Sequence, residues 1–201
     1  NENLIDIGKN PKKYFTNYNI TSPVEDEFDA DVFEVELKIN EQEKKKKKVI
    51  LYGSSTFRLW DDASTDLSLS NLINLGFGGA TLEACRVYFN RLIVNENPDI
   101  IILYAGDNDI GNGSSMKDVV NQFDLFVDQM SENLPNTKGF FISIKPSPFR
   151  RNKLSIIKKT NSKIKKIISN NSNWEYIDIF NYMITSDGEP SELFYQNDML
   201  H

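Results

Sequence analysis

Four short stretches carry the side chains able to do covalent chemistry: Gly53-Ser54-Ser55-Thr56, Gly76-Phe77-Gly78-Gly79-Ala80-Thr81, Gly106-Asp107-Asn108-Asp109 and Asp198-Met199-Leu200-His201. Between them they offer a hydroxyl, glycine backbone N–H groups, an amide, a carboxylate and an imidazole. Acyl transfer uses those kinds of group: a nucleophile, a base, an orienting carboxylate and donors for an oxyanion. Each stretch alone has a plainer reading, as a polar turn, a tight strand-to-helix connection or a loop of side-chain turns. His201 is the only histidine of the chain, so an imidazole base for a serine can only be this one. Asp198, three residues earlier, can accept the ring's other N–H.

Such groups work only if the fold brings them to one edge. Apolar runs and periodicity predict strands at Lys48–Tyr52, Leu72–Leu75, Asp99–Tyr104, Gly139–Ile144 and Trp174–Asp178. Helices are expected between them, at Leu82–Val94 and beyond Ser115, where Asp118 completes a capping box and Val119, Phe123, Phe126, Val127, Met130 and Leu134 recur at helical spacing. A further helix carries Ile157, Ile164, Ile167 and Ile168 with lysines opposite. This alternation predicts an α/β fold: a three-layer, doubly wound, flavodoxin-like sheet of five parallel strands with helices on both faces. In such sheets ligands bind beyond the carboxyl ends of the strands, where the four stretches fall.

Composition narrows the function classes. The chain has 201 residues, 39% of them apolar, and a net charge of −6, which suits one domain with an appendage. Residues 1–43 hold 4 basic and 11 acidic groups, whereas the remainder is nearly neutral. Residues 1–47 are therefore expected to form an acidic N-terminal appendage, and 48–201 the main domain. Within the appendage Phe33, Val35, Leu37 and Ile39 alternate with polar residues in a strand pattern, while Phe33 and Leu37 also share a helical face. The run Lys44–Lys48 lacks interleaved aromatics and reads as a solvated loop, so no nucleic-acid partner is expected. The sequon Asn19-Ile20-Thr21 decides nothing. No apolar stretch approaches the ~20 residues of a membrane span. The one cysteine, Cys85, excludes an internal disulfide and reads as a half-buried apolar group on a helix. No metal-ligand spacing is present, so neither metal nor cofactor is expected. The chain starts at Asn1, no leader is visible, and localisation stays open between cytoplasm and export.

From about Lys48 to His201 the sequence resembles the SGNH hydrolases, or GDSL esterase/lipase family. The blocks that carry the likeness are Gly53-Ser54-Ser55 leading into Arg58-Leu59-Trp60, Asn74-Leu75-Gly76-Phe77-Gly78-Gly79, Tyr104-Ala105-Gly106-Asp107-Asn108-Asp109 and Ser143-Ile144-Lys145-Pro146-Ser147-Pro148. They are most similar to a bacterial branch related to platelet-activating-factor acetylhydrolase and carbohydrate acetyl esterases. The resemblance implies Ser55 as nucleophile, Asp198 and His201 as its partners, and an oxyanion hole from the N–H groups of Ser55 and Gly79 and the amide of Asn108. Ser54 stands where the family name has Asp and is expected to be structural. Asp107 replaces a more usual glycine and is expected to affect the pocket. Relatives continue past the histidine into a final helix.

Lys145, Ser147 and Arg150, after the fourth strand, are candidate substrate contacts on an otherwise solvated loop. Trp60 is expected to pack a helix. With no long apolar lid, a short-acyl ester such as an O-acetylated carbohydrate is expected over a long-chain triglyceride. Two other classes compete: a catalytically silent glycan- or protein-binding relative, and a flavodoxin-like cofactor binder. The second lacks both a Gly-x-Gly-x-x-Gly fingerprint and a phosphate loop. Oligomeric state is open.

Overall fold

Val49–Gly53 (β1) is buried along its whole length, as a near-continuous apolar run at the centre of a parallel sheet must be. A computed structural model describes residues 27–40 and 48–201. The sequon at Asn19, the rest of the acidic segment 1–26 and the run Lys44–Lys47 lie outside the described residues. Around β1 stand Leu72–Gly76 (β2), Ile100–Tyr104 (β3), Lys138–Ile142 (β4) and Trp174–Ile177 (β5), all parallel, in the order β2-β1-β3-β4-β5. That is the flavodoxin-like winding, whose switch point lies between β1 and β3.

The two sheet faces are unequally covered. Ile50, Tyr52, Ile73, Leu75, Ile101, Leu103 and Phe141 point into the larger core. It is closed by Leu82–Val87 (α4), Phe89–Leu92 (α5), the long Met116–Asn133 (α7) and Leu154–Ile168 (α8). Edge-to-face rings tie its centre, with Phe123 4.9 Å from Phe141 and 5.5 Å from Trp174. The opposite face, with Val49, Leu51, Leu72 and Tyr104, meets the short helices Ser55–Arg58 (α2) and Ala63–Asp66 (α3) through Phe57 and Ala63. Trp60 packs at the margin of this smaller cluster and donates to Asp66.

The α7 capping box forms as its sequence dictates, Ser115 accepting from the Asp118 N–H and Asp118 from the Ser115 N–H. Three expectations change. The strand pattern around Phe33 is a helix, Asp29–Asn40 (α1), whose Val32 and Val35 are buried in the larger core with Phe28 and Ile39 against it. The single helix expected over Leu82–Val94 breaks at Tyr88 into α4 and α5, followed by a 3-10 turn at Val94–Glu96 that ends in left-handed Asn97 before Pro98. Cys85 is fully rather than half buried, and burial pushes its thiol well up.

Candidate active site

Three sheet ends converge on Ser55. Gly53, the last residue of β1, has φ of +140°, and a Cβ there would lie 1.9 Å from the Tyr104 carbonyl oxygen. Only glycine lets β1 pass that close to β3. Ser54 follows, buried, with its N–H on the Tyr104 carbonyl and its own carbonyl accepting from Phe57 and Arg58. The chain is thus turned sharply into α2, and Ser55 stands at its first position.

Ser55 Oγ lies 2.8 Å from His201 Nε2, and His201 Nδ1 lies 2.6 Å from Asp198 Oδ2. The structure therefore brings together three residues from the two ends of the 48–201 stretch. Asp198 Oδ1 also accepts the N–H groups of Leu200 and His201, each at 2.9 Å. The backbone and side-chain hydrogen bonds from His201, then the Leu200 N–H, hold this carboxyl well below the usual carboxylate range. The histidine loop is anchored to the segment after β4: Phe149 N–H donates to the Met199 carbonyl and Tyr195 Oη to that of Pro146.

On the other flank the Gly76–Thr81 loop leaves β2 with left-handed Gly79, φ +66°. It is held at both ends. Phe77 N–H reaches the Gly53 carbonyl, and Leu82 N–H is received by both oxygens of Asp109, at 3.1 and 3.2 Å. Asp109 belongs to Asp107–Gly111 (α6), which begins just after β3. Burial pushes its carboxyl up to about 6, against the backbone N–H bonds it accepts. Asn108, on the same short helix, donates from Nδ2 to the Ala80 carbonyl at 3.1 Å. Gly79 and Asn108 therefore sit on loops tied directly to one another.

The segment after β4 is not the solvated loop expected. Lys145 is only 4% exposed, donating to Thr56 Oγ1 at 2.8 Å with its ammonium over the rings of Tyr104 and Tyr195. Burial pushes it down to about 8. Ser147 is completely enclosed. Arg150 lies along α6, its Nη1 2.5 Å from Asp107 Oδ2 and its Nη2 donating to Asn108 Oδ1 at 3.1 Å. Asp107 is thus a buried ion-pair partner.

No motif or spacing in the sequence pointed to Tyr195 or Gly111. Asn161 left a trace: it interrupts the apolar stripe of α8, and its amide receives the N–H and donates to the carbonyl of Ile144, pinning the chain where it enters the Lys145 segment.

A sequence model of the GDSL-like lipase/acylhydrolase family matches residues 50–201. The chain belongs to that family. It is accordingly an esterase of the GDSL type, and no helix among the described residues is long and apolar enough to cross a membrane. No curated protein sequence matches the chain significantly.

Solved structures agree on the fold. A Streptococcus pneumonia protein provisionally described as a platelet activating factor superimposes with a TM-score of 0.72 at 17% identity, over 86% of this chain and 85% of the other. A GDSL-like lipase from Bacteroides thetaiotaomicron gives 0.68 at 19%, over 83% and 88%. A carbohydrate esterase family 3 protein from Talaromyces cellulolyticus gives 0.53 at 17%, over 72% and 88%.

Proposed function

We propose that this GDSL esterase hydrolyses short-acyl esters, O-acetylated carbohydrates foremost, through an acyl-enzyme on Ser55. The observation that carries the reading is the chain of two short contacts from Ser55 Oγ to His201 and from His201 to Asp198. His201 Nε2 takes the hydroxyl proton as Ser55 Oγ bonds to the acyl carbon, and Asp198 holds the ring and offsets its new charge. The carbonyl oxygen becomes an oxyanion received by the N–H groups of Ser55 and Gly79 and by Asn108 Nδ2. His201 then protonates the leaving alkoxide. Water, deprotonated by the same imidazole, releases the acid and frees Ser55. Similarity to a carbohydrate esterase supports the substrate class.

The test pairs a substrate panel with covalent labelling. Acetylated saccharides and p-nitrophenyl esters of graded chain length should be cleaved with an optimum at the shortest acyl groups. A fluorophosphonate should add to Ser55, and Ser55→Ala should lose both labelling and about 10⁶-fold in kcat. Labelling that survives in Ser55→Ala and vanishes in Ser54→Ala would reassign the nucleophile. Phe149 and Phe194 leave apolar surface near the histidine loop. A maximum at long acyl chains would therefore overturn the short-acyl assignment alone.

A further inference from the structure

An asparagine amide has two ends of nearly equal shape and opposite chemistry, Nδ2 giving two hydrogens and Oδ1 accepting. An oxyanion is stabilised by the first and repelled by the second. Which end of Asn108 faces the acyl group is therefore decided by what holds the other end. Here Oδ1 receives Arg150 Nη2 at 3.1 Å while Nδ2 gives one hydrogen to the Ala80 carbonyl at 3.1 Å. Turning the amide over would set an N–H against the guanidinium, which has donors only, and an oxygen against the Ala80 carbonyl. Both contacts would become repulsive.

Besides Asn108, two groups seat the guanidinium. Asp107 Oδ2 lies 2.5 Å from Nη1, both side chains being nearly buried. Gly111 supplies the floor, because a Cβ there would come within 2.6 Å of both Nε and Nη2. Arg150 departs from helical backbone geometry inside the Pro148–Lys153 3-10 segment, with φ of −108° and ψ of 30°.

We propose that Arg150 is a positioning residue of the oxyanion site. It locks the Asn108 amide with Nδ2 forward, leaving that nitrogen's second hydrogen for the developing charge. The proposal rests on the reading of Asn108 as an oxyanion donor. The cation on Oδ1 also polarises the amide and makes the opposite N–H a stronger donor.

A double-mutant cycle on p-nitrophenyl acetate tests it, using Arg150→Met, Asn108→Ala and the pair, each checked for folding by its melting curve. Arg150→Met should lower kcat by about 10- to 100-fold, the usual scale for a misplaced catalytic group, with KM within about twofold. In the Asn108→Ala background the same change should cost nothing further. Arg150→Lys, which restores charge and a donor, should recover part of the loss.

Since Arg150→Met strands a buried Asp107, Gly111→Ala provides a second route: it keeps both charges and pushes the guanidinium off its seat. It should lower kcat in the parent and leave Asn108→Ala unchanged. Equal losses in both backgrounds, a rise in KM alone, or parental kcat in both Arg150→Met and Gly111→Ala would each overturn the role of Arg150. If Asn108→Ala by itself retained parental kcat, the oxyanion reading would fail first and Arg150 with it.

Discussion

On one side of Ser55 the groups proposed to move a proton lie near water: Asp198 has about half its side chain exposed and His201 a fifth. They belong to one short loop whose partners are mostly within itself. On the other side, the groups proposed to receive negative charge, exposed Gly79 and half-buried Asn108, rest on embedded supports. Asp107 and Asp109 are 4% exposed, Arg150 is nearly buried, and the loops of Gly79 and Asn108 are joined by hydrogen bonds from Leu82 and Asn108. The difference follows from the tasks. A proton is passed by a group that exchanges with water between turnovers, whereas charge stabilisation works best from dipoles already fixed in place by what lies beneath them. The exposed flank should therefore be separable from stability, and the buried flank should not.

Asp198→Asn gives the largest effect short of removing the nucleophile. It should lower kcat by about 10⁴-fold, as loss of the orienting carboxylate does in serine hydrolases, while the melting temperature stays within about 2 °C because the group is exposed. A large drop in melting temperature would show that the two flanks are not so different. Asn108→Ala comes next, with kcat down about 10²–10³-fold and KM little changed. A change confined to KM would make Asn108 a ground-state contact.

The buried flank should also leave its mark on stability against pH. The folded Asp109 carboxyl is raised to about 6 from an ordinary 3.8, so between those values the folded state holds a proton that the unfolded chain has lost. Its contribution is present below about pH 4 and is lost as pH rises through 6. Urea titrations across pH 4–7 should show Asp109→Asn lacking a decline on the order of 2–3 kcal/mol that the parent has. Equal slopes would remove Asp109 from the explanation.

The smallest effect is expected at Lys145. Its ammonium, lowered to about 8 from 10.5, is lost from the folded state first, so the parent should gain stability from pH 8 upward, on the order of 1–2 kcal/mol by pH 10. Lys145→Met should lack that gain and keep kcat within about tenfold, as measured by melts and kinetics at each pH.

What the sequence made legible follows the same division. Asp198 and His201 are three residues apart, and Ser115 pairs with Asp118 in the same way, so local spacing was enough. Arg150 meets residues 42 and 43 positions away, and Lys145 meets Thr56 across 89. No periodicity encodes such meetings, and a lysine in a Pro-rich stretch reads as solvated until the rings of Tyr104 and Tyr195 close over it. Around Phe33 two periods overlapped: the alternation of 33, 35, 37 and 39 masked the helical series 28, 32, 35 and 39 that packs on the core. The break at Tyr88 depends on tertiary partners too, since its hydroxyl donates to Asp29.

That docking has a consequence for how the sequence can be divided. Arg91 grips Asp29 and Glu36 with its fork, Phe28 lies edge-on to Phe77 at 5.9 Å, and a Cβ on Gly78 would come 2.6 Å from Asp31 Oδ2. Helix α1 thus lies against the very loop that carries Gly79, although it precedes the family-matching stretch. The stretch from 50 to 201 should therefore not behave as a portable cassette. Recombination or transplantation at its boundary would carry Ser55, Asp198 and His201 away intact and leave the Gly78–Gly79 loop without its outer wall, so natural exchange of this enzyme's parts should find its crossover points ahead of residue 28.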